Sequence, residues 1–380
     1  MVSQDLGVVG VVGAGVIGLA VAWKAARAGH RVTVFDPSPA RGGASWVAGG
    51  MLAPVAEAWP GEEAALALGE ESLRRWPAFA DELRAQGFDC GLSAHGTLVA
   101  AFDHADAEYL DVLARYLAGI GREATRVTGR GLRREEPGLG SVRSGLLVPS
   151  DVFVDNRRLL ESLLAAARQC GAEFVAENAE SLSGDSVTTA SGVRHFDTVV
   201  LCAGAHSGRL HSDLAQAVRP LKGEILRLRA RRGTLPPPRH TVRAVVEGRP
   251  VYLVPRDDGS LVLGATQYEA GFDTGVRARG VRELIEAAER IFPAVTEYEL
   301  TETAAGLRAG SDDTVPYLGP LSDGVYAATG HHRNGLLLAP VTADAVLAWL
   351  AGRPGPEGTE QARPDRNTSE ERTDAGVGQR

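Results

Sequence analysis

Gly13-Ala14-Gly15-Val16-Ile17-Gly18 sits between a short apolar strand, Val8 to Val12, and a run with helical spacing through Ile17, Val21, Lys24, Ala25 and Ala28. Gly29 stops that helix, and Arg31 to Phe35 reads as a second strand. A strand–helix–strand unit of this kind takes a right-handed crossover and belongs to a parallel, doubly wound sheet. Each glycine has a physical task. Gly13 permits the tight turn, Gly15 lets the backbone approach a pyrophosphate, and Gly18 lets helix and strand pack closely. The helix N-terminus offers free N–H groups and a positive dipole end to phosphate. Asp36 closes the second strand, where its carboxylate can accept ribose hydroxyls. The fingerprint does not separate NAD from FAD; an acid at position 36 argues only against a 2′-phosphate.

The run Leu6 to Trp23 is uncharged and long enough to imitate a membrane span. Asp5 precedes it, no basic region leads it, and the glycine spacing has another explanation, so no membrane association is expected. The chain has 380 residues, enough for two domains. Its formal charge is −8, and no basic block interleaved with aromatics is present, so nucleic-acid binding is not expected. The three cysteines, Cys90, Cys170 and Cys202, lie far apart, with neither a metal spacing nor a disulfide framework, which fits a cytoplasmic protein.

Further along, Ala64 to Gln86 reads as a helix broken near Pro77, Thr97 to Phe102 as a strand and Ala105 to Ala118 as a helix. Asp155 reads as an N-cap for the stripe Leu159, Leu160, Leu163, Leu164 and Ala167. Asp258-Gly259 marks a hairpin between two apolar strands. A last helix is expected from about 335 to 350, with Pro340 in its first turn. Residues 352–380 are poor in large apolar side chains and are expected to be a disordered tail.

Ala44-Ser45-Trp46-Val47-Ala48-Gly49-Gly50-Met51-Leu52 follows the second strand. Pro250-Val251-Tyr252-Leu253-Val254-Pro255-Arg256, Leu263-Gly264-Ala265-Thr266, Ala305-Gly306-Leu307-Arg308 and Gly330-His331-His332-Arg333-Asn334-Gly335-Leu336-Leu337 follow in order. Together these segments resemble the D-amino-acid oxidase family of flavoproteins, over about residues 7 to 350. The later segments most resemble its glycine-oxidising branch, which supplies dehydroglycine for the thiazole of thiamine. The resemblance implies a Rossmann-like FAD-binding domain interleaved with an α+β substrate domain built on an antiparallel sheet. Residues 1–90, 145–215 and 305–350 would form the first, and 91–144 and 216–304 the second.

The resemblance also implies roles. Arg308 would grip the substrate carboxylate as a bidentate fork, Tyr252 would contact the same carboxylate, and Arg333 would stand near substrate and flavin. Gln267 would line the substrate pocket. Non-covalent FAD would be held by Gly13, Gly15, Val16, Ile17, Gly18, Asp36, Pro37, Ala44, Ser45, Gly49, Gly50, Met51, Glu180 and Gly204, and by His331 to Leu337, including Asn334, Gly335 and Leu336. No cysteine stands near the late loop to carry a covalent link, and His331-His332 lacks further partners for a metal site. Two positions depart from the glycine branch: Gln267, where Met can stand, and Pro250, where a polar residue can stand. The expected reaction is oxidation of glycine and other small amines to the imine and glyoxylate, with dioxygen reduced to hydrogen peroxide. A sarcosine or D-amino-acid oxidase of the same fold is the alternative. A flavin dehydrogenase or a non-catalytic nucleotide-binding protein is the alternative of another class. The family tends to form homo-oligomers, often tetramers, and a hand-off of the imine to a thiazole synthase is the partner expectation.

Overall fold

The computed structural model describes residues 6–367. Strand Val8–Val12 leads through Gly13 into helix Val16–Arg27 and returns in strand Arg31–Phe35, as the glycine pattern requires. These strands lie at the centre of a six-stranded sheet ordered 317–320, 326–329, 198–201, 8–12, 31–35, 173–175. All neighbours are parallel except the antiparallel edge strand Tyr317–Pro320. Both faces are covered, so the strands are apolar throughout rather than alternating. Val11, Val34 and Val200 join one core with Leu19, Trp23, Leu159, Leu163 and Val341. Val12, Phe35, Val199 and Leu201 join another with Phe196 and Val187 on the opposite side.

The second sheet has nine strands among the described residues and is antiparallel except where Thr241–Val246 runs beside Thr97–Ala101. Its long element is Arg219–Arg229, paired on one side with Ser260–Gly264 and on the other with Glu299–Gly310. Arg249–Pro255 and Ser260–Gly264 form the hairpin that Asp258-Gly259 announced. Helix Ala278–Ile291 seals one face with Leu284, Ala288 and Ile291.

Several expectations need correction. Helix Glu63–Ala85 runs unbroken through Pro77. Tertiary packing of Trp76 and Phe79 in the core outweighs the lost backbone hydrogen bond. The last helix spans Ala339–Leu350, because residues 335–338 form turns that carry the site loop. Pro340 does occupy its first turn. Residues 145–148 belong to strand Ser144–Val148, and 305–310 to Glu299–Gly310; both pair within the large antiparallel sheet, not the parallel one. The chain after the last helix is not a structureless tail where it is described. Two 3-10 turns, Thr359–Ala362 and Pro364–Asn367, dock beside edge strand Tyr317–Pro320 of the six-stranded sheet. Ala362 is fully buried, and Arg366 pairs with Asp313 at 2.8 Å and stacks on Tyr317 at 4.1 Å. A single apolar anchor and one well-packed arginine compensate for a composition otherwise poor in large apolar residues. The rest of that expectation, residues 368–380, lies outside the described residues.

Candidate active site

The nucleotide end is built by close approach. Gly13 has φ +102, and a Cβ there would stand 2.5 Å from the Cys202 carbonyl oxygen; one on Gly18 would stand 1.8 Å from the Gly13 oxygen. Gly15 caps helix Val16–Arg27 without a side chain of its own, and Val16 N–H donates to Ser45 Oγ at 3.1 Å. Asp36 does more than the fingerprint assigns it. Its carboxylate accepts Ala14 N–H and Ser38 N–H, each at 2.7 Å, closing the glycine turn onto the second strand. A carboxylate has further lone pairs, so it can still take a ribose hydroxyl. Pro37 follows on the exposed side. Gly204 opens a 3-10 turn with free space at its Cα, and Thr329 Oγ1 donates to its carbonyl at 3.1 Å. Glu180 is exposed, with its N–H given to the Thr188 carbonyl at 2.8 Å.

From this end the small-residue loop runs along a cavity of about 420 Å³. Ala44, Ser45, Gly49, Gly50, Met51, Tyr252, Gln267, Arg308, His332, Arg333, Gly335 and Leu336 all line it, so the structure gathers the early loop, the hairpin and the late loop around one space. His331 and Leu337 turn elsewhere. His331 is buried with its Nε2 beside Thr342 Oγ1 at 3.0 Å, and the Leu337 carbonyl accepts Ser72 Oγ and Trp76 Nε1 at 2.6 and 2.9 Å. Asn334 donates its N–H to the His331 carbonyl and accepts from Leu338, shaping the turn.

Residues outside the expected set hold the early loop. Asn156 Nδ2 donates to the carbonyls of Ser45 and Trp46 at 2.8 and 2.9 Å, and buried Arg256 donates to the Gly49 carbonyl at 2.7 Å. Arg227 and Arg157 also reach the Trp46 carbonyl. Burial, with Arg157 and Arg256 beside it, pulls the Arg227 guanidinium down to about 10. Carbonyls drawn backward by these donors leave the loop's opposite edge to the cavity.

At the substrate end, Arg308 lies over Gly223, where a Cβ would stand 2.4 Å from its guanidinium. It donates to the Thr266 carbonyl at 3.3 Å and has no carboxylate within ion-pair distance among the described residues. The Tyr252 ring is wedged between Gly49 and Gly264. Burial raises its phenol, so it stays neutral and can donate. Arg333 differs from Arg308: it pairs with Glu57 at 3.2 Å and Glu62 at 2.6 Å. Arg243, another lining residue, also pairs with Glu57. Burial pushes the Glu57 carboxyl up, but the two arginines outweigh it and hold it below the usual value. Burial, then the charges of Arg333 and Arg308, push the His332 imidazole down to about 4. Neither Glu57 nor Arg243 was singled out in the sequence; the available signal was a lone acid inside the apolar run Met51 to Ala58.

The arrangement fits an FAD. Glycines whose Cβ atoms would collide with neighbouring backbone form the pyrophosphate turn, the helix behind it starts at a glycine with only the small Ser45 hydroxyl on its first N–H, and small residues floor the cavity. His332 Nδ1 lines the same loop, buried and without a hydrogen-bond partner among the described residues.

Comparison with known proteins agrees. The chain is 33% identical over 346 residues to the glycine oxidase of Geobacillus kaustophilus, covering 88% of this chain and 90% of that protein. It is 34% identical over 360 residues to a putative thiamine biosynthesis oxidoreductase of Rhizobium etli, covering 94% and 98%. The crystal structure of the Geobacillus kaustophilus glycine oxidase superposes with a TM-score of 0.86 at 30% identity, over 94% of this chain and 98% of that one. The model of the FAD dependent oxidoreductase family matches residues 9–349. The chain therefore belongs to the D-amino-acid oxidase family of FAD-dependent oxidoreductases.

Proposed function

We propose that this protein oxidises glycine, and other small amines carrying a carboxylate, to the imine. Dioxygen is reduced to hydrogen peroxide, and water converts released imine to glyoxylate and ammonia. The observation that carries this reading is Arg308. It is a half-buried guanidinium on the cavity wall, held by one backbone carbonyl, with no carboxylate to neutralise it among the described residues and a neutral Tyr252 phenol lining the same cavity. Such a fork selects a planar anion. The similarity to proteins named glycine oxidase supports glycine over larger amino acids.

Gly13 to Gly18, Ser45, Asp36, Gly49 to Met51 and the loop from His332 to Leu336 would hold the FAD, which when bound supplies the two-electron acceptor and its reoxidation by dioxygen. The chain's own contribution is orientation and electrostatics. Arg308 and Tyr252 fix the carboxylate, which leaves the α carbon and amine one arrangement relative to the loop Ala44 to Met51. His332 is neutral at physiological pH and adds no charge beside the amine. Arg333, its charge offset by Glu57 and Glu62, is held at the cavity wall and is not a second grip. No side chain is needed as a base, because the amine's own lone pair drives hydride departure once the amine is neutral.

Peroxide and glyoxylate formation under air from glycine, sarcosine and D-alanine tests the assignment. Glycine should give the highest kcat/KM. Absence of peroxide with all three would overturn oxidase function, and preference for sarcosine or D-alanine would reassign the substrate. The same reading takes the enzyme as a cytoplasmic homo-oligomer that passes its imine to a thiazole-forming partner, supported by the relative named for thiamine biosynthesis. Trapping free imine with and without such a partner tests the hand-off.

A further inference from the structure

Strand Arg219–Arg229 turns Gly223 toward Arg308, and alternation then puts Lys222 and Glu224 on the opposite face. Both are fully buried, yet they are charged and the proposed reaction uses neither. Their partners lie in one segment. Glu224 accepts Thr266 Oγ1 at 3.0 Å, Tyr268 Oη at 3.0 Å and Arg277 N–H at 2.8 Å. Its own N–H donates to Thr266 Oγ1 at 2.9 Å, and its carbonyl accepts Thr266 N–H at 3.2 Å. Lys222 donates to Asp273 at 2.8 Å and to the Gly275 carbonyl. The first turn of helix Ala278–Ile291 closes on the same carboxylate so tightly that a Cβ on Gly280 would stand 1.9 Å from it.

Thr266 is thus bonded to Glu224 through side chain and backbone, and its remaining carbonyl is the one that holds Arg308. Gln267 lies between two residues pinned by one carboxylate and lines the substrate cavity. A buried carboxylate with this many donors is a rigid anchor; one left short of partners would be strongly destabilising.

We infer that Glu224 is a positioning residue for substrate recognition. From the back of the sheet it fixes Thr266, and so sets both the direction of the Arg308 fork and the approach of Gln267. This inference rests on the carboxylate-clamp reading of Arg308. It places the effect on substrate binding, not on the hydride step, since Glu224 does not line the candidate substrate cavity.

The test uses the yellow holoenzyme and the Thr266→Val, Thr266→Ser and Glu224→Gln variants. Thr266→Val keeps the shape and the carbonyl but removes the hydroxyl link. It should raise KM for glycine about tenfold with kcat nearly unchanged. It should weaken acetate, a carboxylate without an amine, by a similar factor, read from the flavin spectrum. Thr266→Ser should restore both, and Glu224→Gln should fall between. A lower Tm with unchanged KM and unchanged acetate affinity in Thr266→Val would overturn the inference, as would a fall in kcat alone. If wild-type enzyme fails to oxidise glycine, the proposed substrate is wrong, while the acetate arm still decides the role of Glu224.

Discussion

The nucleotide turn and the cavity beyond it are made by opposite means. The nucleotide end is a matter of backbone and absent side chains: Gly13, Gly15 and Gly18 within one turn, and Asp36 at the end of the next strand, hydrogen-bonded back to Ala14. The substrate end is a matter of charge, assembled from residues far apart: Glu57, Arg243, Tyr252, Gln267, Arg308 and Arg333. A steric cradle tolerates almost no change of shape and little depends on pH. A charged pocket tolerates shape changes but depends on which charges are neutralised, and by what.

That contrast can be broken at either end. The largest effect is expected from Gly18→Ala. Its methyl group would overlap the Gly13 carbonyl, so the helix must move off the strand. The purified variant should carry little or no flavin, measured as visible absorbance per protein. A fully yellow variant would mean that the helix end is not what holds the cofactor.

Arg308→Ala comes next. Removing the half-buried guanidinium proposed to grip the substrate carboxylate should lower kcat/KM for glycine about 100-fold or more, with flavin content intact. Arg333→Ala should do less, about tenfold or below, because Glu57 and Glu62 already neutralise that arginine. Equal losses in the two variants would erase the distinction between a free and a satisfied arginine.

A smaller effect concerns pH. Asp151, fully buried, accepts Val55 N–H and Ala56 N–H at 3.3 and 3.1 Å, the two residues before Glu57. Burial pushes its carboxyl up to about 7. A folded value raised above the unfolded one means that the native state holds a proton which the unfolded state has released. Stability should therefore fall as pH rises from about 4 to about 7 through this group. Asp151→Asn should flatten that part of the profile, measured by denaturant unfolding of the holoenzyme at several pH values. An unchanged slope would show that Asp151 does not titrate there.

The smallest effect is at the docked C-terminal segment. Arg366→Ala loses its pairing with Asp313 and its stacking on Tyr317. It should cost about 1 kcal/mol, about 2 °C in Tm, without altering kcat/KM.

Much of this molecule was legible in order along the chain. The strand–helix–strand unit, the Asp155 cap and the hairpin at Asp258-Gly259 sit where the residue pattern placed them, and Arg308 and Arg333, singled out by the resemblance, line one cavity. Pro77 misled, because packing of its neighbours overrode its local preference. The tail misled for a similar reason: composition averages over a segment, and one buried alanine with one well-placed arginine was enough to dock it. Asn156, Arg227 and Glu224 went unread as site residues. Each acts on a loop to which no periodicity connects it, across 42 to 181 positions for its most telling bonds.

The sequence by itself determined the nucleotide end, since a turn requiring glycine and a helix offering free N–H groups are local properties of a few consecutive residues. Only the tertiary structure decided that Arg333 and Arg243 share Glu57 while Arg308 meets a backbone carbonyl and no carboxylate among the described residues. Ion pairing depends on separations of a few ångströms between side chains remote in the chain. A list of residue types does not contain those separations; folding creates them.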